Sequence, residues 1–236
     1  MKFFITGAAG SLGSAICAKL IADHHKVVGF DLADSPLQNS HYHHITGNLV
    51  DRSLISASLN DCDCIIHTAI FKGDYDQNST AAFSVNVEGT FNIYDAIKNT
   101  KTKAVLISSA PVDKNPPNSP LNWKSHSSED HTYDLTKRLQ EEIARDYYET
   151  FGVPTIILRM GHIVDENNMI DPNYCVGGWV EQSDAVLACV LAANYTKTNF
   201  DIFNVIGSYQ AHAPYDIKRT MDALSWQPIY LFEGQA

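Results

Sequence analysis

The sequence predicts an α/β fold, a doubly wound parallel sheet with a short C-terminal region, and three observations carry that prediction. Short apolar runs alternate with segments of helical periodicity through the first two thirds of the chain, as strands joined by crossover helices do. The first apolar run stops at three glycines spaced three residues apart (Gly7, Gly10, Gly13), and a helical pattern begins there. The length of 236 residues suits one generous α/β domain, or a domain with a small appendage.

The first strand is the run Phe3, Phe4, Ile5, ending at Thr6. Beyond Gly13, Ile16, Leu20 and Ile21 share one helical face, with Ala15, Ala18 and Ala22 between them. A strand whose terminal glycines open a helix is a dinucleotide-binding context. The first glycine permits the tight turn, and the second lets backbone N–H groups approach a pyrophosphate. The third lets helix and strand pack closely, and the helix N-terminus adds partial positive charge. The spacing is G-x-x-G-x-x-G, and Ala9, Ser11 and Leu12 join the glycines as candidate cofactor contacts. The second strand runs from Lys26 to Phe30, and Asp31 stands at its carboxyl end. A carboxylate there accepts from an adenosine ribose 2′-OH and repels a 2′-phosphate, which favours NAD over NADP. No Lys or Arg follows between Leu32 and Gln38 to welcome a phosphate.

A short strand around His43 to Thr46 leads through Gly47, Asn48 and Leu49 to a helix from Asp51 to Leu59. Cys64 to His67 is a buried strand ending at Thr68 and Ala69. A long helix from about Thr80 to Asn99 carries Phe83, Val87, Phe91, Ile93, Tyr94 and Ile97 as its apolar stripe. Lys103 to Ile107 is the fifth strand. Residues 111–131 are proline-rich and polar, a loop too long to be a mere connector and so expected to carry function. A helix from Tyr133 to Phe151 and a strand from Pro154 to Arg159 follow. Past Arg159 the alternation weakens to a helix over Asp184 to Ala193, a strand over Asp201 to Ile206 and an amphipathic helix over Ala213 to Leu224.

Composition narrows the function classes. Hydrophobic content of 44% and charged content of 19% describe an ordinary globule. The net charge of −10 argues against nucleic acid or an anionic membrane as partner, since both demand a basic face. No apolar run approaches a membrane span, and the N-terminus enters a strand without a signal peptide, so the expected location is the cytoplasm. The cysteines Cys17, Cys62, Cys64, Cys175 and Cys189 form an odd, scattered set and read as buried free thiols. His41, His43 and His44 lack a partnering cluster, so no metal is expected.

Tyr133 and Lys137 open the helix after the 111–131 loop at i and i+4, on one face. A nearby ammonium favours the phenolate and lowers the Tyr pKa toward the working range. Lys137 can also donate to cofactor ribose hydroxyls. Ser108 and Ser109 end the fifth strand, where open α/β sheets place their ligands, and a hydroxyl there can hold the substrate oxygen that Tyr133 protonates or deprotonates.

Together, Gly7, Gly10, Gly13, Asp31, Ser109, Tyr133 and Lys137 resemble the short-chain dehydrogenase/reductase superfamily, and more narrowly its extended branch, the NAD-dependent epimerase/dehydratase family. His67-Thr68-Ala69 resembles the family's H-x-A strand end, and Asn86-Val-Glu-Gly89-Thr90 its N-V-x-G-T helix. Ser108 to Val112 resembles the serine strand end, Leu158-Arg-Met-Gly161 the L-R-x-G strand end, and Ser225-Trp-Gln-Pro228 the terminal G-W-x-P. Departures are Asn48 where Asp is usual beside the adenine, Asp113 after Val112, and Met160 where Pro is usual. The resemblance implies a Rossmann fold, with residues 1–164 as NAD-binding unit and 165–236 as a small substrate-side region completing the same domain. It adds Asn48, Leu49, Thr68, Ala69, Ile70, Asn86, Ser108, Arg159 and Met160 to the expected cofactor contacts, beside Tyr133 and Lys137.

Family chemistry implies hydride transfer, with Ser109, Tyr133 and Lys137 as catalytic residues and NAD as cofactor. The chain is shorter than typical sugar-nucleotide epimerases and resembles uronate dehydrogenases in layout. That favours a dehydrogenase acting on a small sugar, sugar acid or polyol, with an epimerase holding its NAD tightly and a non-catalytic NAD sensor as alternatives. Lys72, His126, His131, Arg159 and His162 are the candidate substrate contacts. The family resemblance also implies a homodimer paired through the two long helices, with Ala81, Ala82 and Phe83, or Ile143 and Tyr147, on the shared face.

Overall fold

The structure, a computed structural model, describes residues 1–59, 61–110, 131–165, 178–207 and 216–231, and of His131 the backbone alone. The chain runs β1 (Lys2–Thr6), α1 (Ser11–Ala22), β2 (Lys26–Asp31), β3 (Tyr42–Thr46), α2 (Arg52–Ser58), β4 (Cys64–His67) and α3 (Ser79–Phe83). A π-helical turn (Ser84–Glu88) joins α3 directly to α4 (Gly89–Ile97). Then come β5 (Lys103–Ser109), α5 (His131–Phe151), β6 (Thr155–Met160), β7 (His162–Val164), β8 (Trp179–Glu181), α6 (Gln182–Asn194), β9 (Phe200–Val205) and α7 (Ile217–Leu224).

Seven strands form one sheet in the order β3-β2-β1-β4-β5-β6-β9, and every pairing is parallel. This is the doubly wound α/β sheet that the sequence predicts. Strand order reverses between β1 and β4, so their carboxyl ends splay apart and open a crevice. Successive side chains of a strand take opposite faces, and the core divides accordingly. Phe3 and Ile5 join Ile16, Leu20, Val105, Ile156, Leu158, Phe203 and Trp226 on the face of α1 and α6. Phe4 joins Phe30, Ile55, Ile65, Ile93, Tyr94, Leu106 and Ile157 on the face of α2, α4 and α5.

Local signals set several element ends. Asp51 caps α2 by accepting from Leu54 N at 3.0 Å, and Asp216 caps α7 by accepting from Arg219 N at 3.0 Å. Lys103 donates to Ala192 O at 2.6 Å and Ala193 O at 3.2 Å, tying β5 to the end of α6, where an ammonium also suits the helix dipole. Asp184 is fully buried within α6; its carboxylate accepts from Ile229 N and Tyr230 N at 3.0 Å, and its carbonyl accepts from Trp226 Nε1 at 2.9 Å.

Three features depart from the sequence expectation. The long helix expected over Thr80 to Asn99 is two α-helices in line, separated by the π turn, ending at Ile97. β7 and β8 form a separate two-stranded parallel sheet after the point where alternation fades; strands of three residues are too short to show a period. The helix expected from Tyr133, α5, begins at His131. The loop of residues 111–130, His126 within it, Cys175 and the expected start of the last helix at Ala213 lie outside the described residues. Among the described residues no helix is long and apolar enough to cross a membrane.

Candidate active site

The crevice at the β1/β4 reversal is built first by glycines. Gly7 has φ +70°, and a Cβ there would lie 2.7 Å from Thr68 Oγ1 and 2.8 Å from Ala69 N. A Cβ on Gly13 would lie 2.0 Å from Gly7 O, so the first turn of α1 packs onto the loop only because that position has no side chain. Gly10 is the N-cap of α1 and brings no side-chain cap, which leaves the helix start facing the crevice as an anion site. Lys72 Nζ sits above the same place, 3.4 Å from where a Gly10 Cβ would be. A cradle that any Cβ would fill is what a pyrophosphate backbone site requires, so the residues present fit a dinucleotide.

Asp31 closes one end of the crevice. Its Oδ2 accepts from Ala9 N at 3.0 Å and its Oδ1 from Ala33 N at 3.1 Å, which ties the glycine loop to the end of β2. Next to it, Asn48 is exposed, and Leu49 is fixed from behind: Asn92 Nδ2 donates to Leu49 O at 2.9 Å, and Gly89 leaves room for the Leu49 side chain.

The other end holds Ser109, Tyr133 and Lys137. Lys137 is 4% exposed and its Nζ donates to Ile107 O at 2.8 Å, two residues before Ser109 on β5. Burial pushes the Lys137 ammonium down to about 8 from 10.5, while the Glu141 carboxylate pulls it back up. The Tyr133 ring meets the Tyr75 ring edge-on, with centroids 5.4 Å apart, and Tyr75 meets Phe71 the same way at 5.3 Å.

Beneath these groups lies a buried polar web. Thr90 Oγ1 donates to Asn86 O at 2.5 Å and accepts from Gln140 Nε2 at 2.7 Å. With its one proton used, Thr90 must accept from His67 Nε2 at 3.0 Å, so His67 Nδ1 accepts from Thr6 Oγ1 at 2.6 Å. Burial, reinforced by the Lys137 charge, drives the His67 pKa down to about 3, so the imidazole stays neutral. Asn86 accepts from Phe71 N at 2.7 Å and donates to Thr136 Oγ1 at 3.0 Å and to the Tyr75 hydroxyl at 3.3 Å. Thr136 Oγ1 in turn donates to Tyr133 O at 2.8 Å. The web spans β1, β4, the π turn and α5, and so fixes where Tyr133 stands.

Of the expected site residues, Gly7, Ala9, Gly10, Ser11, Leu12, Gly13, Asp31, Asn48, Leu49, Thr68, Ala69, Ile70, Ser108, Ser109, Tyr133, Lys137 and Met160 line one cleft of 960 Å³. Asn86 and Arg159 lie behind its wall: Asn86 is fully buried in the web, and Arg159 donates to both oxygens of Glu141. Their polar groups face inward because each has a buried partner that water cannot replace. Lys72 and His162, two of the expected substrate contacts, line the cleft as well. Sequence reading missed Phe71, Tyr75 and Gly161. A Cβ on Gly161 would lie 2.2 Å from Gly178 O, the glycine being what lets the segment before β8 approach.

The family model described as "NAD dependent epimerase/dehydratase family" matches residues 3–174. The chain belongs to that family. NAD is the family's cofactor, and the glycine cradle with Asp31 at its end fits it. Among the relatives of this family member, the uronate dehydrogenase of Pseudomonas syringae pv. tomato is 26% identical over 164 residues, covering 68% of this chain and 58% of that protein. The uronate dehydrogenase of Pseudomonas putida is 24% identical over 173 residues, covering 68% and 60%. The matched stretch thus spans less than two thirds of those relatives' length. The fold is also that of uronate dehydrogenase from Agrobacterium tumefaciens, with TM-score 0.79 and 22% identity over 98% of this chain and 85% of that one. UDP-glucuronic acid 4-epimerase from Bacillus cereus, solved with UDP-glucuronic acid and NAD, superposes with TM-score 0.77 and 20% identity over 98% and 95%.

Proposed function

We propose that the protein is an NAD-dependent oxidoreductase that moves a hydride between the nicotinamide and a hydroxyl-bearing carbon of a small sugar acid, sugar or polyol. The observation that carries this reading is that Ser109, Tyr133 and Lys137 share one cleft with the glycine cradle and Asp31. NAD, when bound, supplies the hydride acceptor. Gly7 to Gly13 and the start of α1 hold the pyrophosphate, and Asp31 takes the adenosine ribose. Ser109 hydrogen-bonds the substrate oxygen, and Tyr133 takes its proton in the oxidative direction and returns it in the reverse. Lys137, charged at neutral pH, favours the Tyr133 phenolate and donates to the cofactor ribose. Lys72 and His162 bring positive or hydrogen-bonding character to the cleft, which supports an anionic or hydroxylated substrate. The uronate dehydrogenase relatives support the same substrate class.

The test is NADH formation across uronates, aldoses and polyols, with NAD and NADP in parallel. Turnover with NAD on a small sugar acid is expected, and Tyr133→Phe is expected to abolish it while NAD still binds. Silence across the panel in a protein that binds NAD would transfer the reading to an epimerase with captive cofactor, or to a sensor. The same proposal includes a cytoplasmic location and a homodimer through α4 and α5, where Phe91 is 41% and Phe151 46% exposed around the Tyr147 ring.

A further inference from the structure

The proposed role of Lys137, on which this inference rests, needs an ammonium in a dry place, where burial opposes charge. Lys137 shares its surroundings with the His67 imidazole of β4 and the Glu141 carboxylate of its own helix. His67 is neutral and offers it no counter-charge. Glu141 is the anion, one turn beyond Lys137 at i+4 and 4% exposed. Its Oε1 accepts from Ser108 Oγ at 2.5 Å and from Arg159 Nε at 3.0 Å, and its Oε2 accepts from Arg159 Nη2 at 2.7 Å. Two successive residues of β5 are therefore tied to two successive turns of α5: Ile107 O to Lys137 and Ser108 Oγ to Glu141. Ser109 is the next residue of the same strand.

We infer that Glu141 is a positioning residue, at once the counter-ion of Lys137 and the peg that fixes the strand carrying Ser109 against the helix carrying Tyr133. A purely architectural ion pair would behave differently. A buried pair is often replaceable by apolar groups without loss of stability, and its removal would leave the titration of Lys137 where it was.

The measurement is an NMR pH titration of protein labelled with ¹³Cε-lysine, with the Lys137 signal identified by its loss in Lys137→Met. In Glu141→Gln the Lys137 midpoint is expected to fall by about one unit or more, since a buried counter-charge within a helical turn is lost. In Arg159→Met, where Glu141 keeps its charge and loses its competitor, the midpoint is expected to hold or rise. The double variant Glu141→Gln/Arg159→Met removes both members of the Arg159–Glu141 pair, so neither is left as a lone buried charge; it is expected to fold and to lower the midpoint, which keeps the test readable if a single variant does not fold. Turnover should follow suit: the alkaline limb of kcat moves down with the Lys137 midpoint, and rate recovers toward lower pH. An unmoved Lys137 midpoint in Glu141→Gln and in the double variant, or a loss of kcat equal at every pH, would overturn the inference. A shifted midpoint in a protein that turns over no substrate would support the coupling and overturn the oxidoreductase reading instead.

Discussion

Replacing Gly13 by alanine adds one methyl group at the tightest contact in the cofactor cradle. That Cβ would lie 2.0 Å from Gly7 O, 2.7 Å from Gly7 C and 3.1 Å from Ala8 Cα, all of them backbone atoms that cannot swing aside as a side-chain tip does. Relief requires α1 to back away from the β1 turn by about 1 Å or more. Overpacking of that kind costs roughly 1–3 kcal/mol. For a domain of this size each kcal/mol lowers Tm by about 2–4 °C, so the loss is about 2–12 °C. The same retreat moves the N-terminal N–H groups of α1 off the pyrophosphate, and a misplacement of about 1 Å weakens an oriented interaction by up to roughly 10²-fold. Gly152→Ala is the control. Gly152 has positive φ, +72°, and a Cβ there meets nothing within 4 Å, so the substitution costs only backbone strain of about 1–2 kcal/mol. Differential scanning calorimetry and NAD titration calorimetry on both variants separate the two effects. Both should melt earlier, and only Gly13→Ala should lose NAD affinity, by tenfold or more. Wild-type affinity in Gly13→Ala would refute the close-packing argument for this loop.

Two further outcomes follow from buried groups. His67 titrates at about 3 in the folded chain against 6.5 when free, so between those values the unfolded state binds the extra proton and stability falls as pH drops. From pH 7 to pH 5 that contribution is about 2 kcal/mol, at about 1.4 kcal/mol per pH unit below 6.5. Urea midpoints of wild type and His67→Gln at those two pH values should show a smaller drop in the variant; parallel drops would contradict a neutral, buried His67. Cys17 and Cys62 are buried, with thiols pushed up to about 12 and about 11, and burial raises Cys64 and Cys189 further. These four should resist a disulfide exchange reagent in native protein and react fully in denaturant, as mass spectrometry of the labelled peptides would report.

What sequence reading recovered and what it missed have separate physical causes. The glycine spacing was legible because a missing Cβ leaves a pattern that only steric need explains, and Gly7 and Gly13 make the contacts that spacing implies. The sheet was legible because every strand of it but the edge strand β3 is apolar enough to be seen without a partner. Asp31, Ser109, Tyr133 and Lys137 were found as end-of-strand and start-of-helix positions, and the parallel topology then brings such ends to one crevice. Asn86 and Arg159 were expected at the cofactor because the family resemblance puts their motifs beside it. Whether such a side chain faces the cleft or a buried partner is decided by Thr136 and Glu141, which lie far from them in sequence. Tyr75 carried no local signal, since its importance is a ring packed against Tyr133, 58 positions further along the chain, a pairing that only the fold creates.

The π turn at Ser84–Glu88 gives one continuous helical rod two different angular phases. Before and within it the chain addresses the catalytic end, with Asn86 reaching toward Phe71 and Thr136; after it, Ile93, Tyr94 and Ile97 address the sheet. A regular α-helix advances about 100° per residue, and the π turn takes up about one residue's worth of that rotation, so deletion of one residue from it would let the helix close into ordinary register with the side chains on either side still pointing about as they do. The rod thus behaves as a vernier between two surfaces that share no common period. Homologous chains shorter by a single residue inside this stretch should be regular α-helix there and still satisfy both surfaces.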